Sequence, residues 1–154
     1  MAVVKEIIEK FPERKWILFN KSIKFAELLQ ENINNSVVYH SKQNKTEREE
    51  ILDQFKANKI RYLIAVDALN EGVNIPDADS AICVSGVSTE LTQIQHLGRV
   101  GRFAKNKKAL FINLFSKDTI EETWVRKKTK SLKNVRWIQN IDKIDVKETK
   151  AVPR

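Results

Sequence analysis

Short apolar runs and helix-patterned stretches alternate along this chain at least four times. Lys15–Phe19, Ser36–His40, Arg61–Val66, Ser80–Ser85 and Lys108–Leu114 read as strands, and Val135–Ile141 as a candidate last one. Between them, Val3–Phe11, Ser22–Glu31, a helix opened by Thr46-Glu47-Arg48-Glu49, Thr89–Leu97 and a helix opened by Asp118-Thr119-Ile120-Glu121 carry helical spacing. Thr46 and Glu49 have the spacing of a capping box, which places Thr46 at the N-cap. Arg61–Val66 is apolar at nearly every position, which suits a parallel strand covered on both faces. The pattern predicts an α/β domain of three layers, α/β/α, around a mainly parallel, doubly wound sheet. One domain is expected over residues 1–142, with a polar, loosely held tail over 143–154. Folds of this kind place ligands at the carboxyl ends of the strands. Here those are the segments after Phe19, His40, Val66, Ser85 and Leu114.

Composition narrows the function classes. At 154 residues the chain is long enough for a real core, and no apolar run approaches a membrane span. The N-terminus lacks the basic–apolar–small order of a signal peptide, so a cytoplasmic or nucleoid-associated location is the expectation. Cys83 stands alone, without zinc-spaced partners, and reads as a small buried strand residue. The net charge of +8 leans toward polyanions. It is concentrated in Arg99–Lys108, with five basic residues, and in Arg126–Arg136, with six and no acid. Either run could be a solvated helix face; the second could instead grip a nucleic-acid backbone, with Trp124 or Trp137 stacking on a base. The tryptophans are expected in the core.

The sharpest motif is Gln95-His96-Leu97-Gly98-Arg99-Val100-Gly101-Arg102. Its glycines allow a tight turn, and its two arginines leave that turn on roughly one side. Guanidinium groups match phosphate oxygens in pairs, so two on a stiff turn can neutralise charge on a transferring phosphoryl group. A basic helix end with a glycine cap is the plainer reading. The octet resembles motif VI of superfamily 2 helicases, with His96 where arginine is usual. The resemblance implies that Arg99 and Arg102 are arginine fingers reaching an ATP γ-phosphate, and that Gln95 links the nucleotide and nucleic-acid sites.

Two further stretches resemble the same family in the expected order. Leu63–Pro76 resembles motif V, an apolar strand that opens into a polar loop. Gly72 matches, while Val66 replaces the usual threonine and Asn74 the usual aspartate. By resemblance, Gly72 and Asn74 would face nucleotide, and Asp67 nucleic acid. Trp16–Lys21 resembles motif IV, which places Asn20 and Lys21 at a helix start facing nucleic acid; a plain N-cap at Asn20 or Ser22 is the alternative. His40-Ser41, followed by Glu47-Arg48-Glu49, resembles another family stretch and adds Ser41 to the nucleic-acid candidates.

The four glycines are never followed by lysine, and no aspartate is followed by glutamate, so the chain carries neither a phosphate-cradling P-loop nor a helicase Walker B pair. The resemblance therefore implies the second, RecA-like motor domain of a superfamily 2 helicase or translocase. ATP and Mg would be bound mainly by an N-terminal RecA-like partner domain. The chain alone would be inactive, monomeric and without a metal of its own. It would act on nucleic acid, with Gln95 favouring DNA over RNA. A non-catalytic nucleic-acid-binding or interaction module of the same fold is the main alternative. An unrelated nucleotide-binding enzyme is the other, and would need a phosphate loop or nucleophile that the sequence does not show.

Overall fold

A computed structural model describes residues 1–66, 78–84, 110–130 and 135–144. Helix α1 (Ala2–Lys10) leads to strand β1 (Trp16–Asn20), then α2 (Ile23–Asn32), β2 (Ser36–His40), α3 (Lys45–Lys56) and β3 (Tyr62–Val66). Strands β4 (Ser80–Cys83) and β5 (Leu110–Asn113), helix α4 (Ile120–Thr129) and a short 3-10 turn at Ile141–Lys143 complete the described elements. The five strands form one all-parallel sheet in the order β2-β3-β1-β4-β5. The expected layered α/β architecture is therefore present.

Strand alternation divides the core in two. Ile17 and Phe19 join Tyr39, Leu63, Ala65, Ala81 and Cys83 on the face covered by Ile51 and Phe55 of α3. Trp16 and Leu18 point the other way, with Val38, Ile64 and Ile82, against Val4, Ile7 and Ile8 of α1 and Ala26 and Leu29 of α2. The period of two along each strand makes the central strands apolar on both faces. In α1 the spacing of positions 4, 7 and 8 gives one apolar stripe, and Pro12 follows immediately after its C-cap, Phe11.

The helix ends differ in part from expectation. Helix α3 is capped by Asn44, whose Oδ1 accepts from the Glu47 N–H at 2.8 Å, so Thr46 lies inside the first turn. Asparagine is at least as good a cap as threonine and comes first in the chain. Its far end is closed by Asn58 at φ 60°, with the Lys59 N–H donating back to the Gln54 carbonyl at 2.9 Å. Helix α4 uses carboxylates instead: Glu122 Oε2 accepts from Asp118 N–H at 2.7 Å, and Glu121 Oε2 from Ser116 N–H at 3.0 Å. Residues 135–138 form no strand; they join no ladder among the described residues. The helix expected over Thr89–Leu97 lies outside the described residues.

A polar clamp closes the amino edge of the sheet. Asp79 Oδ1 accepts from the Lys15 N–H and from Ser80 Oγ, each at 3.0 Å, and Arg14 Nη1 donates to Ser80 Oγ at 2.9 Å. Arg14, Asp79 and Ser80 are all buried.

Candidate nucleotide and nucleic-acid site

The registers align the carboxyl ends of all five strands in one row. His40 pairs with Val66 and Val66 with Asn20. Val84 N–H then donates to the Phe19 carbonyl, and Leu114 N–H to the Cys83 carbonyl, each at 2.9 Å. Residues 21, 41, 67, 85 and 115 therefore follow strand ends that share a single edge. The crossover directions reverse between β1 and β4: β1 leads toward β2, and β4 toward β5. Such a switch point leaves a crevice beyond the strand ends, the usual ligand position in an open α/β sheet.

Asn20 occupies that switch point. It is only 1 % exposed, and its Oδ1 accepts from the Ser22 N–H at 3.0 Å. Its Nδ2 is buried with no hydrogen-bond partner among the described residues. An unsatisfied buried amide costs on the order of 1–3 kcal/mol, so a native structure that keeps one invites a ligand acceptor as the explanation. Ser22, rather than Asn20, is the cap of α2, and its Oγ accepts from Phe25 N–H at 3.2 Å. Both residues thus serve the helix start, but Ser22 is exposed to water whereas the Asn20 amide is buried there.

Lys21 and Ser41 are exposed, and follow β1 and β2 on either side of the β3 end. The loop carrying Ser41 is fixed by Gln43, a residue the sequence did not single out. Gln43 Oε1 accepts from His40 N–H at 3.0 Å, and its Nε2 donates to the Val38 carbonyl at 2.9 Å. His40 is structural, as its Nδ1 accepts from Lys42 N–H at 3.2 Å. Val66 is 3 % exposed and offers no polar side-chain atom where the family usually has threonine. Asp67, Gly72, Asn74, Gln95, Arg99 and Arg102 lie outside the described residues. Their segments are attached to this row: 67–77 follows Val66, and 85–109 follows Val84. Among the described residues no group of acidic, histidine or cysteine side chains could hold a metal ion, and no helix is long and apolar enough to cross a membrane.

The model of the helicase conserved C-terminal domain matches residues 1–104, a stretch that runs through Arg102. The chain belongs to this family. This helicase C-terminal domain is 35% identical over 118 residues to a DNA 3'-5' translocase, XPB2, of Sulfurisphaera tokodaii, covering 77% of this chain and 26% of that protein. It is 27% identical over 107 residues to the ATP-dependent RNA helicase DHH1 of Encephalitozoon cuniculi, covering 67% of this chain and 22% of that protein. The domain thus spans about a quarter of the length of these relatives. Among solved structures, the C-terminal domain of the DEAD-box protein Dbp5 superposes with a TM-score of 0.71 at 21% identity, over 88% of this chain and 79% of that one. That likeness shows the fold, the RecA-like one expected from the sequence.

Two expectations about the aromatic residues need correction. Trp16 is fully buried, but Trp124 and Trp137 are 43 % and 44 % exposed. The sheet and its two helical layers are filled without them. Val135–Ile141, with the composition of a strand, is held by ring and guanidinium contacts of Trp137 instead of a ladder.

Proposed function

We propose that this domain is the second motor domain of an ATP-dependent superfamily 2 translocase acting on nucleic acid. The observation that carries the reading is the shared carboxyl edge. Asn20, with its unused buried donor, stands in the same row as the strand ends from which the Gly72–Asn74 and Gln95–Arg102 segments depart. In this reading Arg99 and Arg102 supply positive charge to a γ-phosphate held by a first RecA-like domain, with Gln95, Gly72 and Asn74 beside the nucleotide. Asn20, Lys21, Ser41 and Asp67 line the nucleic-acid side. ATP and Mg are bound mainly by that first domain, so the isolated chain turns over no ATP. When bound there, Mg would offset charge on the phosphates. This chain's own part is to bring guanidinium donors to the transferring group, which raises turnover by roughly 10³ or more in related phosphoryl-transfer systems. DNA is the proposed substrate, on the strength of Gln95 and of the archaeal DNA translocase among the relatives.

The test is ATP hydrolysis by the polypeptide that joins this domain to a first motor domain, with and without single-stranded DNA. Stimulated turnover that Arg102→Ala removes supports the proposal; turnover indifferent to Arg99→Ala and Arg102→Ala overturns it. One observation favours a second reading, a binding module without the engine. The buried, apolar Val66 removes a polar contact that the family usually makes. That reading expects nucleic-acid binding with no dependence of ATP turnover on either arginine.

A further inference from the structure

Beyond the family motifs, Arg126, Trp137 and Phe115 bring basic and aromatic groups together on the described surface. Arg126 is held on two sides. Its Nε and Nη2 each lie 2.9 Å from Glu122 Oε1, and its guanidinium carbon sits 4.3 Å from the centre of the Trp137 ring. Phe115 meets the same indole at 5.8 Å between ring centres, with the planes 75° apart. Phe115 directly follows Leu114, the β5 member of the carboxyl-edge row. The cluster is therefore anchored to the edge that carries Asn20, two strands away, or about 10 Å at ordinary strand spacing. Roughly three stacked nucleotides at ~3.4 Å each span that distance.

The exposure of this cluster is unusual for its composition. A large aromatic ring normally enters the core, yet Trp137 is 44 % exposed, and the Arg126 side chain 54 %. The ring and the carboxylate fix the guanidinium plane beforehand, so little freedom is lost when a second flat group stacks on it. Lys127, Lys130 and Arg136 are close to Arg126 or Trp137 in the chain and are exposed, while Glu121 and Glu122 are engaged with backbone N–H groups of the α4 start. Positive charge beside flat stacking groups fits a nucleic-acid strand with unpaired bases, because a base inside a duplex has no free face.

We infer that Trp137 and Arg126 form a base-stacking platform for single-stranded nucleic acid, separate from the contacts expected of Asn20, Lys21 and Ser41. It extends the strand's path toward the β5 side of the carboxyl edge. This inference rests on the reading that the domain acts on nucleic acid, and the experiment separates the two. Single-stranded oligothymidylate is titrated into the whole 154-residue chain, with binding read by anisotropy of a labelled oligonucleotide and by tryptophan fluorescence. The expected result is fluorescence quenching, with affinity about tenfold weaker in Trp137→Ala and in Arg126→Lys, which keeps the charge but loses the planar group. Inorganic polyphosphate, which has no bases, should bind without that dependence. Wild-type binding that is unchanged by both substitutions overturns the platform alone. No binding by the wild type overturns the platform and the nucleic-acid reading together. Shielding of Trp137 by a first motor domain without nucleic acid, combined with no response to the oligonucleotide, would assign the surface to a domain interface instead.

Discussion

Asn20 Oδ1 and the Ser22 N–H meet at 3.0 Å, a bond that orients the Asn20 amide and leaves its Nδ2 buried, without an acceptor among the described residues, at the end of the central strand. Asn20→Asp keeps an oxygen for Ser22 but replaces the donor with a charge. It should weaken single-stranded DNA binding by about 10- to 150-fold, since a lost donor to a charged group is worth roughly 1.5–3 kcal/mol. Asn20→Ser, which retains a hydroxyl donor, should lose less. Fluorescence anisotropy on both variants, alongside circular dichroism to check folding, decides it; equal affinities in all three proteins would remove Asn20 from the interface.

The clamp at the opposite edge makes a stability prediction. Asp79→Ala leaves the Lys15 N–H and Ser80 Oγ without their acceptor in a buried setting. The expected loss is about 2–4 kcal/mol, read from the midpoint of urea unfolding. Asp79→Asn, which can still accept both bonds, should fall between alanine and wild type.

Asn58 gives a prediction of opposite sign. It holds φ 60° at the end of α3. Glycine adopts that conformation without the steric cost a Cβ brings. Asn58→Gly should therefore leave stability unchanged or raise it by up to about 1 kcal/mol, whereas Asn58→Val should lower it by about 1–2 kcal/mol. Thermal unfolding of the pair measures the difference.

Glu122 predicts an acid-sensitive helix start. The Asp118 N–H first, and Arg126 second, hold its carboxyl below the usual carboxylate range, with slight burial opposing them. A group with a lowered folded value contributes its stability above the unfolded value, about pH 4.3 for glutamate, and loses it as pH falls further. Tryptophan fluorescence should thus report loosening of the Arg126–Trp137 stack below about pH 4.3. In Glu122→Gln the change should be absent from that window, because the group that Arg126 Nε meets there no longer titrates.

The central strands were legible because they are buried on both faces and so read as apolar runs, as in β1 and β3; the edge strand Ser36–His40, only partly buried, still agrees end to end with β2. Helix caps were less legible. Asn44 and Thr46 are both good caps two residues apart, and only the path of the chain selects between them. Val135–Ile141 failed as a strand for a different reason. Residue preference describes a pleated, half-buried surface, and Trp137 finds its neighbours in Phe115 and Arg126 rather than in a ladder. At the candidate site, the position of Asn20 at a strand end was legible from its place after an apolar run. Gln43 was not, because its value lies in holding His40 and Val38, a pairing no local pattern announces.

The place of β1 between β3 and β4 governs how the chain can fold as it is made. Trp16 aligns with Tyr62 on one side and Ser80 on the other. Of these five strands β1 comes earliest in the chain, so it must wait for the whole α2–α3 region before it gains one neighbour in the sheet, and longer for the second. Until Cys83 has left the ribosome, one side of a strand buried along its whole length presents unpaired backbone. Contacts this distant slow folding and expose a nascent chain to aggregation. Its yield in a cell should accordingly depend on translation speed and chaperone supply more than its final stability would suggest.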